Sequence, residues 1–426
     1  MTIKRLNMET FRKSFVYKLL ILTIFTFFAS SVVYAAEASL SIPSKLGIKK
    51  IELNKTIKVD GKNYPYTFLD GMLLKDGERK ITIDNKTYTV EVKTQPDKES
   101  IEVTQSLYAY TFTKSALVIN PTNRSLENSG KSTEVTLSEN PQIAIFEDEF
   151  GNISDVIFIP PLLEKLDILD SQVPITNISG KKFLLSSKSP YRLLSKVLLN
   201  EQSGLILEEG VVIINALNSE LNIKGSFIST GPITILESGR LSVTQSGILY
   251  LNGNASTTNV NSDIGALIFL DNAKANNANL VLPNFVVIRN SELQNVTING
   301  AYAVYIINSK IENLNIQNCG KVYINNSVVN TFVTSLLSKV IMYDSQIDNS
   351  EISDLSELNI VNSKISSLKI LKGGLVKSKN SELNQIDIDD YSIIYLFNTS
   401  ANALNVGNGK YYNLESKIKT INKIKK

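Results

Sequence analysis

Residues 290–307 read NSELQNVTINGAYAVYII and residues 308–325 read NSKIENLNIQNCGKVYIN, so the pattern returns after 18 positions (from 290 to 308). An Asn or Asp followed by Ser or Thr opens each copy, and the interval holds without a slip to residue 398. A fixed period of about 20 residues is typical of a stacked repeat, in which one coil of chain lies on the next. The pairs are Asn290-Ser291, Asn308-Ser309, Asn326-Ser327, Asp344-Ser345, Asn362-Ser363, Asn380-Ser381 and Asn398-Thr399.

The columns of the repeat indicate β-strands. With the Asx residue as position one, the aliphatic residues fall at positions four, seven, nine, fifteen and seventeen, in pairs two residues apart. Such pairs lie on one face of a strand, and Ile and Val are typical of strands. The sequence therefore predicts an all-β fold, a parallel β-helix with roughly 11 coils over residues 203–415. Position nine holds Ile298, Ile316, Thr334, Ile352, Ile370, Ile388 and Val406, and position fifteen holds Val304, Val322, Val340, Leu358, Val376, Ile394 and Tyr412.

The Asx-Ser corner predicts a ladder of side chains along the stack. A tight bend between two strands needs a left-handed backbone, which Asn tolerates better than most residues. Stacked Asn amides can hydrogen-bond from coil to coil, and the Ser that follows is small enough to point inward. We interpret this whole column as structural, including the single acidic member, Asp344.

The spacing I-x-N-S-x-I, as in Ile306 to Ile311, resembles the right-handed parallel β-helix of the pectate-lyase-like superfold. The three-sided 18-residue coil is also similar to that of the bactofilins. Both resemblances concern the architecture of residues 203–415. A left-handed hexapeptide helix repeats its aliphatics every six residues, whereas columns four, nine and fifteen here are unevenly spaced, which favours the right-handed form. The catalytic motifs of that superfold, N-T-D with D-D and G-H-G, W-x-D-H or R-x-P-x-x-R, are absent from the sequence.

The rest of the chain divides into segments that differ in their pattern of apolar and polar residues. Residues 39–160 have the short alternating runs of a β-rich N-terminal region, and Lys80 to Val92 predict a hairpin. Residues 161–202 are mixed, with a short helix expected over residues 191–199, and are interpreted as a linker or cap of the solenoid. Residues 416–426 are interpreted as a basic C-terminal tail or cap.

Residues 1–36 have the pattern of a secretory signal peptide. Basic residues precede the apolar run LLILTIFTFFASSVV at residues 19–33, and small residues at Ala35 and Ala36 offer a cleavage site. The alternative is an uncleaved N-terminal anchor, since the run is just short of a membrane-spanning helix. We therefore predict a secreted or cell-surface protein that meets the membrane only through its export signal.

Composition excludes several classes of function. The chain has no His and one Cys, so a His-ligated metal site and a Ser-His or Cys-His nucleophile are excluded. Neither a Walker A loop nor a G-x-G-x-x-G turn is present, and we predict no cofactor and no metal site. Cleavage of the leader changes the net charge from +3 to about −1 (3 − 5 + 1), which gives no basic face for nucleic acid.

Two groups of side chains are candidates for a site. Asp387, Asp389 and Asp390 form the densest carboxylate group, where Asp387 and Asp389 could bind calcium or act as an acid-base pair. The alternative, which we favour, is a solvated charged strand surface. Tyr305, Tyr323 and Tyr395 share the outward position sixteen, where aromatic rings could stack on sugars. The structural alternative for the tyrosines is their preference for strands.

These observations favour a non-catalytic β-helix protein with a structural, adhesive or glycan-binding role, whose partner is a polysaccharide or cell-wall glycan. One alternative is a polysaccharide lyase or glycoside hydrolase with a divergent carboxylate site at Asp387 and Asp389. A second alternative is an exported filament or scaffold that self-associates end to end.

Overall fold

The computed structural model describes residues 57–65, 68–83, 86–106, 108–120, 127–138, 141–162, 167–172, 174–176 and 178–424. The predicted signal peptide lies outside these residues. Within them no helix is long and apolar enough to cross a membrane. The chain forms two compact units, residues 1–93 and residues 94–426.

The first unit contains a four-stranded antiparallel sheet with the strand order β2-β1-β3-β4. Its apolar core includes Leu69, Leu74 and Ile81. The predicted hairpin is confirmed, since β3 and β4 pair with Ile81 opposite Tyr88. The strands are β1 Ile57–Val59, β2 Lys62–Tyr64, β3 Gly77–Ile83 and β4 Lys86–Val92, and a 3-10 turn covers Gly71–Leu73.

The second unit begins with another antiparallel sheet, in which β8 and β9 pair with each other and β6 pairs with β5, β7 and β8. The two sheets bear out the prediction of a β-rich N-terminal region. The strands are β5 Val103–Gln105, β6 Ala109–Asn120, β7 Glu127–Thr136, β8 Gln142–Glu147 and β9 Ile153–Ile159.

The remainder of the second unit is a parallel β-solenoid of 28 strands, β10 to β37. The fold-class prediction is therefore confirmed, and right-handedness stays a prediction. The first strands are β10 Asp167–Ile168, β11 Lys181–Leu184, β12 Tyr191–Leu193, β13 Lys196–Leu199, β14 Gly204–Leu207, β15 Val212–Asn215, β16 Glu220–Ile223, β17 Ser226–Ser229, β18 Ile233–Leu236, β19 Arg240–Val243, β20 Ile248–Ser262 and β21 Leu267–Val281, with a 3-10 turn at Ser186–Lys188.

From residue 285 onward each coil contributes two strands of regular length. They are β22 Phe285–Arg289, β23 Glu292–Asn299, β24 Ala303–Ile307, β25 Lys310–Gln317, β26 Lys321–Asn325, β27 Val328–Ser335, β28 Lys339–Tyr343, β29 Gln346–Ile352, β30 Glu357–Val361, β31 Lys364–Ile370, β32 Leu375–Lys379, β33 Glu382–Ile388, β34 Ile393–Phe397, β35 Ser400–Val406, β36 Lys410–Leu414 and β37 Lys417–Lys423.

The solenoid has about 14 coils rather than the roughly 11 expected, because it extends beyond residues 203–415 at both ends. The early coils are longer, since Lys181 pairs with Gly204 and Gly204 pairs with Ser226, and so they escape a search for an 18-residue period. Residues 161–202 are not a separate cap, because they supply β10 to β13, and residues 416–426 are not only a tail, because they contain β37. Residues 191–199 form β12 and β13 instead of a helix, with alternate side chains buried.

The interior of the solenoid holds the predicted columns. All members of position nine from Ile298 to Ile388 are buried, and so are the members of position fifteen from Val304 to Ile394. The last coil is one residue shorter, so Ile394 pairs with Tyr411, and Tyr412 lies opposite Tyr395 instead of in the core column. Cys319 is buried, and the hydroxyl of Ser338 in the next coil accepts its N–H at 3.1 Å.

The Asx-Ser corner is built as predicted. Each Asx residue from Asn290 to Asn398 has a left-handed φ between 44° and 51°. The Asn308 amide donates to Asn290 Oδ1 at 3.2 Å, and the Asn326 amide donates to Asn308 Oδ1 at 2.8 Å. Asp344 accepts from the Asn362 amide at 3.3 Å and pairs with Lys98 Nζ at 3.2 Å, so its carboxylate fits the ladder.

Candidate functional site

The β5–β9 sheet packs on one face of the solenoid, which we call the covered face. This face is the outward side of β17, β22, β24, β26 and β28, together with the first residues of β20 and β21. A buried apolar cluster joins the two layers. Phe158 of β9 stacks on Tyr250, with ring centroids 4.3 Å apart and an interplanar angle of 13°. Its ring also contacts Phe269 at a centroid distance of 4.9 Å. One broad side of the solenoid is therefore closed to large ligands by the chain itself.

Polar contacts border this apolar interface. Arg289 of β22 pairs with Asp155 of β9 at 2.9 Å and with Asp271 of β21 at 3.1 Å. Burial alone would lower the pKa of Arg289, but its bonds to Asp155 and Asp271 outweigh that effect and raise it. The Tyr343 hydroxyl bonds to Asn152 Oδ1 at 3.1 Å. These directional contacts fix the register of the sheet on the solenoid.

Lys379, in β32, is a buried cation on the same side of the solenoid. It is the last residue of β32, only 1% exposed, and its Nζ donates to Thr94 Oγ1 at 2.8 Å. A buried charge is costly unless it has partners, so this contact helps to hold the segment that precedes β5 against the solenoid.

Two of the three predicted binding tyrosines lie on the covered face. Tyr305 is only 6% exposed and stacks on Tyr323, with ring centroids 5.5 Å apart and an interplanar angle of 5°. Burial raises the pKa of Tyr305 and of Tyr323. The expectation that this tyrosine column is open to solvent is corrected here. The β5–β9 sheet covers the Tyr305 ring, and the Tyr305 and Tyr323 rings stack face to face.

Tyr395 lies nearer the C-terminal end of the same column. Its ring stacks on Tyr412 in the next coil at a centroid distance of 4.8 Å and an angle of 12°. One face of Tyr395 is thus already occupied by a neighbour of this chain. Stacking between coils explains the tyrosine column at least as directly as sugar binding does, and binding by Tyr395 stays a prediction.

The carboxylates of Asp387, Asp389 and Asp390 do not form one facing group. Asp387, in β33, accepts hydrogen bonds from the side-chain amides of Gln385 at 3.1 Å and Asn405 at 2.6 Å. Asp389 accepts the backbone N–H groups of Asp390 at 2.9 Å and Asn408 at 3.0 Å, in the turn that follows the strand. Asp390 has a left-handed φ of 49° in that turn. The first two carboxylates therefore tie one coil to the next.

A shallow groove of about 220 Å³ lies on the uncovered side of β21, β23 and β25. We call it the polar groove. Lys274 and Glu292 form an ion pair across it at 3.0 Å, and Gln294, Lys310 and Glu312 also line it. Attraction to Lys274, with which Glu292 also hydrogen-bonds, lowers the pKa of the Glu292 carboxyl. The groove thus presents donors and acceptors side by side.

A second amide ladder flanks the polar groove. The Asn277 amide donates to Asn259 at 2.8 Å, Asn295 to Asn277 at 2.9 Å, and Asn313 to Asn295 at 2.9 Å. Each amide uses one N–H in the ladder and keeps a second N–H for another acceptor. Asn295 and Asn313 are exposed, so a hydroxyl-rich chain lying along the coils could reach these groups.

The sequence contains a signal for the covered face, namely apolar side chains at positions that point outward from the solenoid. Outward positions sixteen and eighteen include Val287, Ile307, Tyr343 and Val361, and a solvated strand face would not concentrate such residues. The polar groove had no comparable signal, because Lys, Glu and Gln on outward positions are typical of any solvated strand. In the described part of the chain no group of three or more Cys, Asp or Glu residues is arranged to hold a metal ion.

No protein-family model matches the chain, and no curated protein sequence matches it. Among solved structures, the chain is similar to a family 28 exopolygalacturonase of Yersinia enterocolitica at 8% sequence identity and a TM-score of 0.20. The alignment covers 76% of this chain and 98% of that protein. At this level the likeness supports no inference about activity, and the architecture rests on the strand register described above.

Proposed function

We propose that this chain is a secreted or cell-surface β-helix protein that binds an extended glycan without cleaving it. The observation that carries the proposal is the polar groove with its flanking amide ladder, which repeats hydrogen-bonding groups over four successive coils along an uncovered side of the solenoid. Successive parallel strands lie about 4.8 Å apart, so a polymer lying along the axis would meet the same kind of group at regular intervals. Repeat proteins commonly use such extended surfaces for binding.

The arrangement of the candidate acids supports a non-catalytic role. A glycosidase of the usual kind needs two carboxyl groups facing one bond, with one proton held at neutral pH. Asp387 and Asp389 instead accept hydrogen bonds from donors in the next coil. Their carboxylates therefore serve as structural acceptors in this proposal, and the divergent hydrolase or lyase remains the alternative to be tested.

The arrangement of the last strand bears on self-association. β37 carries Lys417, Lys419 and Lys423, and charged edge strands oppose pairing with another sheet. Light scattering of the full chain measures this directly. Growth into large assemblies at neutral pH would favour the filament alternative over the proposal.

The test of glycan binding is an array of polysaccharides probed with the full chain, in parallel with a screen for lyase and hydrolase products. We expect retention on a subset of glycans and no cleavage. Lys310→Ala, which removes a lining group of the polar groove, should weaken that binding about tenfold or more, as expected for loss of a charge-assisted hydrogen bond. Degradation of any polysaccharide would contradict the non-catalytic role.

Lys364→Ala is the matched control. Lys364 occupies the same column as Lys310 and has an ion pair with Glu382 at 2.9 Å, but it does not line the groove. Its replacement should leave glycan binding unchanged. An equal loss in both variants would show that general surface charge, and not the groove, attracts the glycan.

A further inference from the structure

A second cavity lies on the early, irregular coils, next to the first member of the amide ladder, Asn259, which lines it. It has a volume of about 320 Å³ and lies where β13, β16 and β19 run side by side. Lys196, Glu220 and Arg240 line it and occupy one column, because each pairs in register with the next. Three charged side chains thus lie on successive coils, with the acid between two cations.

The acid in this column is already satisfied. Glu220 is paired with Lys196 at 3.2 Å through one carboxylate oxygen, and the Ser242 hydroxyl donates to the other at 2.7 Å. Arg240, by contrast, makes no side-chain hydrogen bond or ion pair with any residue that the structure describes. The cavity therefore has a net charge of about +1 and an arginine whose five N–H donors are open.

The floor of the cavity holds buried polar side chains. Ser219 and Gly239 line it on neighbouring coils, and Gly239 has no side chain that could bond to the Ser219 hydroxyl. Within the described residues, the buried Ser219 Oγ and Asn215 Nδ2 have no hydrogen-bond partner. A Cβ added at Gly239 would lie 2.4 Å from Asn215 Nδ2, so the Asn215 side chain packs directly against this glycine and leaves no room for a larger residue. Unpartnered buried polar groups call for a partner such as water or an ion.

We propose that this cavity binds the phosphate group of a small or polymeric ligand. Arginine and lysine together hold phosphate oxygens by charge-assisted hydrogen bonds, and the planar guanidinium can contact two oxygens at once. A carboxylate would use fewer of the available donors, because it has two oxygens where a phosphate monoester has three. This proposal does not rest on glycan binding in the polar groove.

The experiment is calorimetric titration of the full chain with inorganic phosphate, with chloride at equal ionic strength as the reference. We expect phosphate to bind, and Arg240→Gln to weaken that binding about tenfold or more. Arg192→Gln is the matched control, because Arg192 is exposed on β12 and does not line the cavity. Thermal melting of each variant checks that the fold is retained.

A second arm compares glycerol phosphate with a phosphodiester-linked polyol polymer to separate the two sources of the group. Binding of either, lost in Arg240→Gln, supports the site and identifies its ligand class. No heat at millimolar phosphate and phosphate ester would overturn the proposal. Equal affinity for chloride and phosphate, or equal binding by Arg240→Gln and the parent chain, would overturn it as well.

Discussion

A buried serine at each Asx-Ser corner closes hydrogen bonds that a bend in the chain would otherwise leave open. Ser327 is the example: its Oγ accepts the Ser309 N–H at 3.1 Å and its hydroxyl donates to the Asn325 carbonyl at 2.8 Å. The same pair of bonds recurs at Ser345 and Ser363. A side chain at this buried site must accept one backbone hydrogen bond and donate another. This explains why a small hydroxyl residue recurs there and not merely a small residue.

We therefore expect Ser327→Ala to lower the free energy of unfolding by about 1–3 kcal/mol, because a buried N–H loses its acceptor. Ser366→Ala is the control, since Ser366 is exposed on β31 and its loss should cost far less. Urea unfolding followed by circular dichroism measures both changes. Equal free energies of unfolding for the two variants would show that the corner hydroxyl does not stabilise the fold.

At the scale of elements, the sequence predicted strands and the inward columns correctly but not what lies against them. Inward positions repeat because every coil meets the same apolar interior, so Ile316 and Val322 could be placed by counting. Docking of the β5–β9 sheet depends on contacts between residues far apart in sequence, such as Asp155 with Arg289. The repeat period of the sequence does not reveal such contacts. The two candidate cavities likewise depend on side chains from different coils.

Phe158 is one of the buried residues that hold the β5–β9 sheet on the covered face. Phe158→Ala should cost about 3–5 kcal/mol, because it removes a buried ring from between Tyr250 and Phe269. Hydrogen exchange should then speed up in β22, β24 and β26, where the cover is lost. Tyr108→Ala, at an exposed position of the same unit, is the control. Unchanged exchange on the covered face in Phe158→Ala would contradict the docking role.

At the scale of the whole second unit, the chain is a stack of coils of two kinds. The later coils keep an 18-residue spacing, as in the Asn398 to Asn380 bond, whereas the early coils are longer. Each coil buries several Ile, Leu or Val side chains, each contributing on the order of 1.5–3 kcal/mol against exposure. Contacts are mainly between neighbouring coils, so removal of one regular coil should leave the others intact.

The central claim is that one period of 18 residues is one complete, removable layer of the solenoid, and deletion of residues 382–399 tests it most directly. That deletion joins Ser381 to Ser400, so the corner is still followed by its third position and every column stays in phase. Deletion of residues 382–390, half a coil, is the control and puts every later side chain on the wrong face. We predict that the full-coil deletion gives a folded protein in which β35 to β37 keep their hydrogen-exchange protection, while the half-coil deletion removes that protection from β35 to β37 and leaves the earlier coils folded. Loss of protection in these strands in both deletions, or its retention in both, would contradict the account.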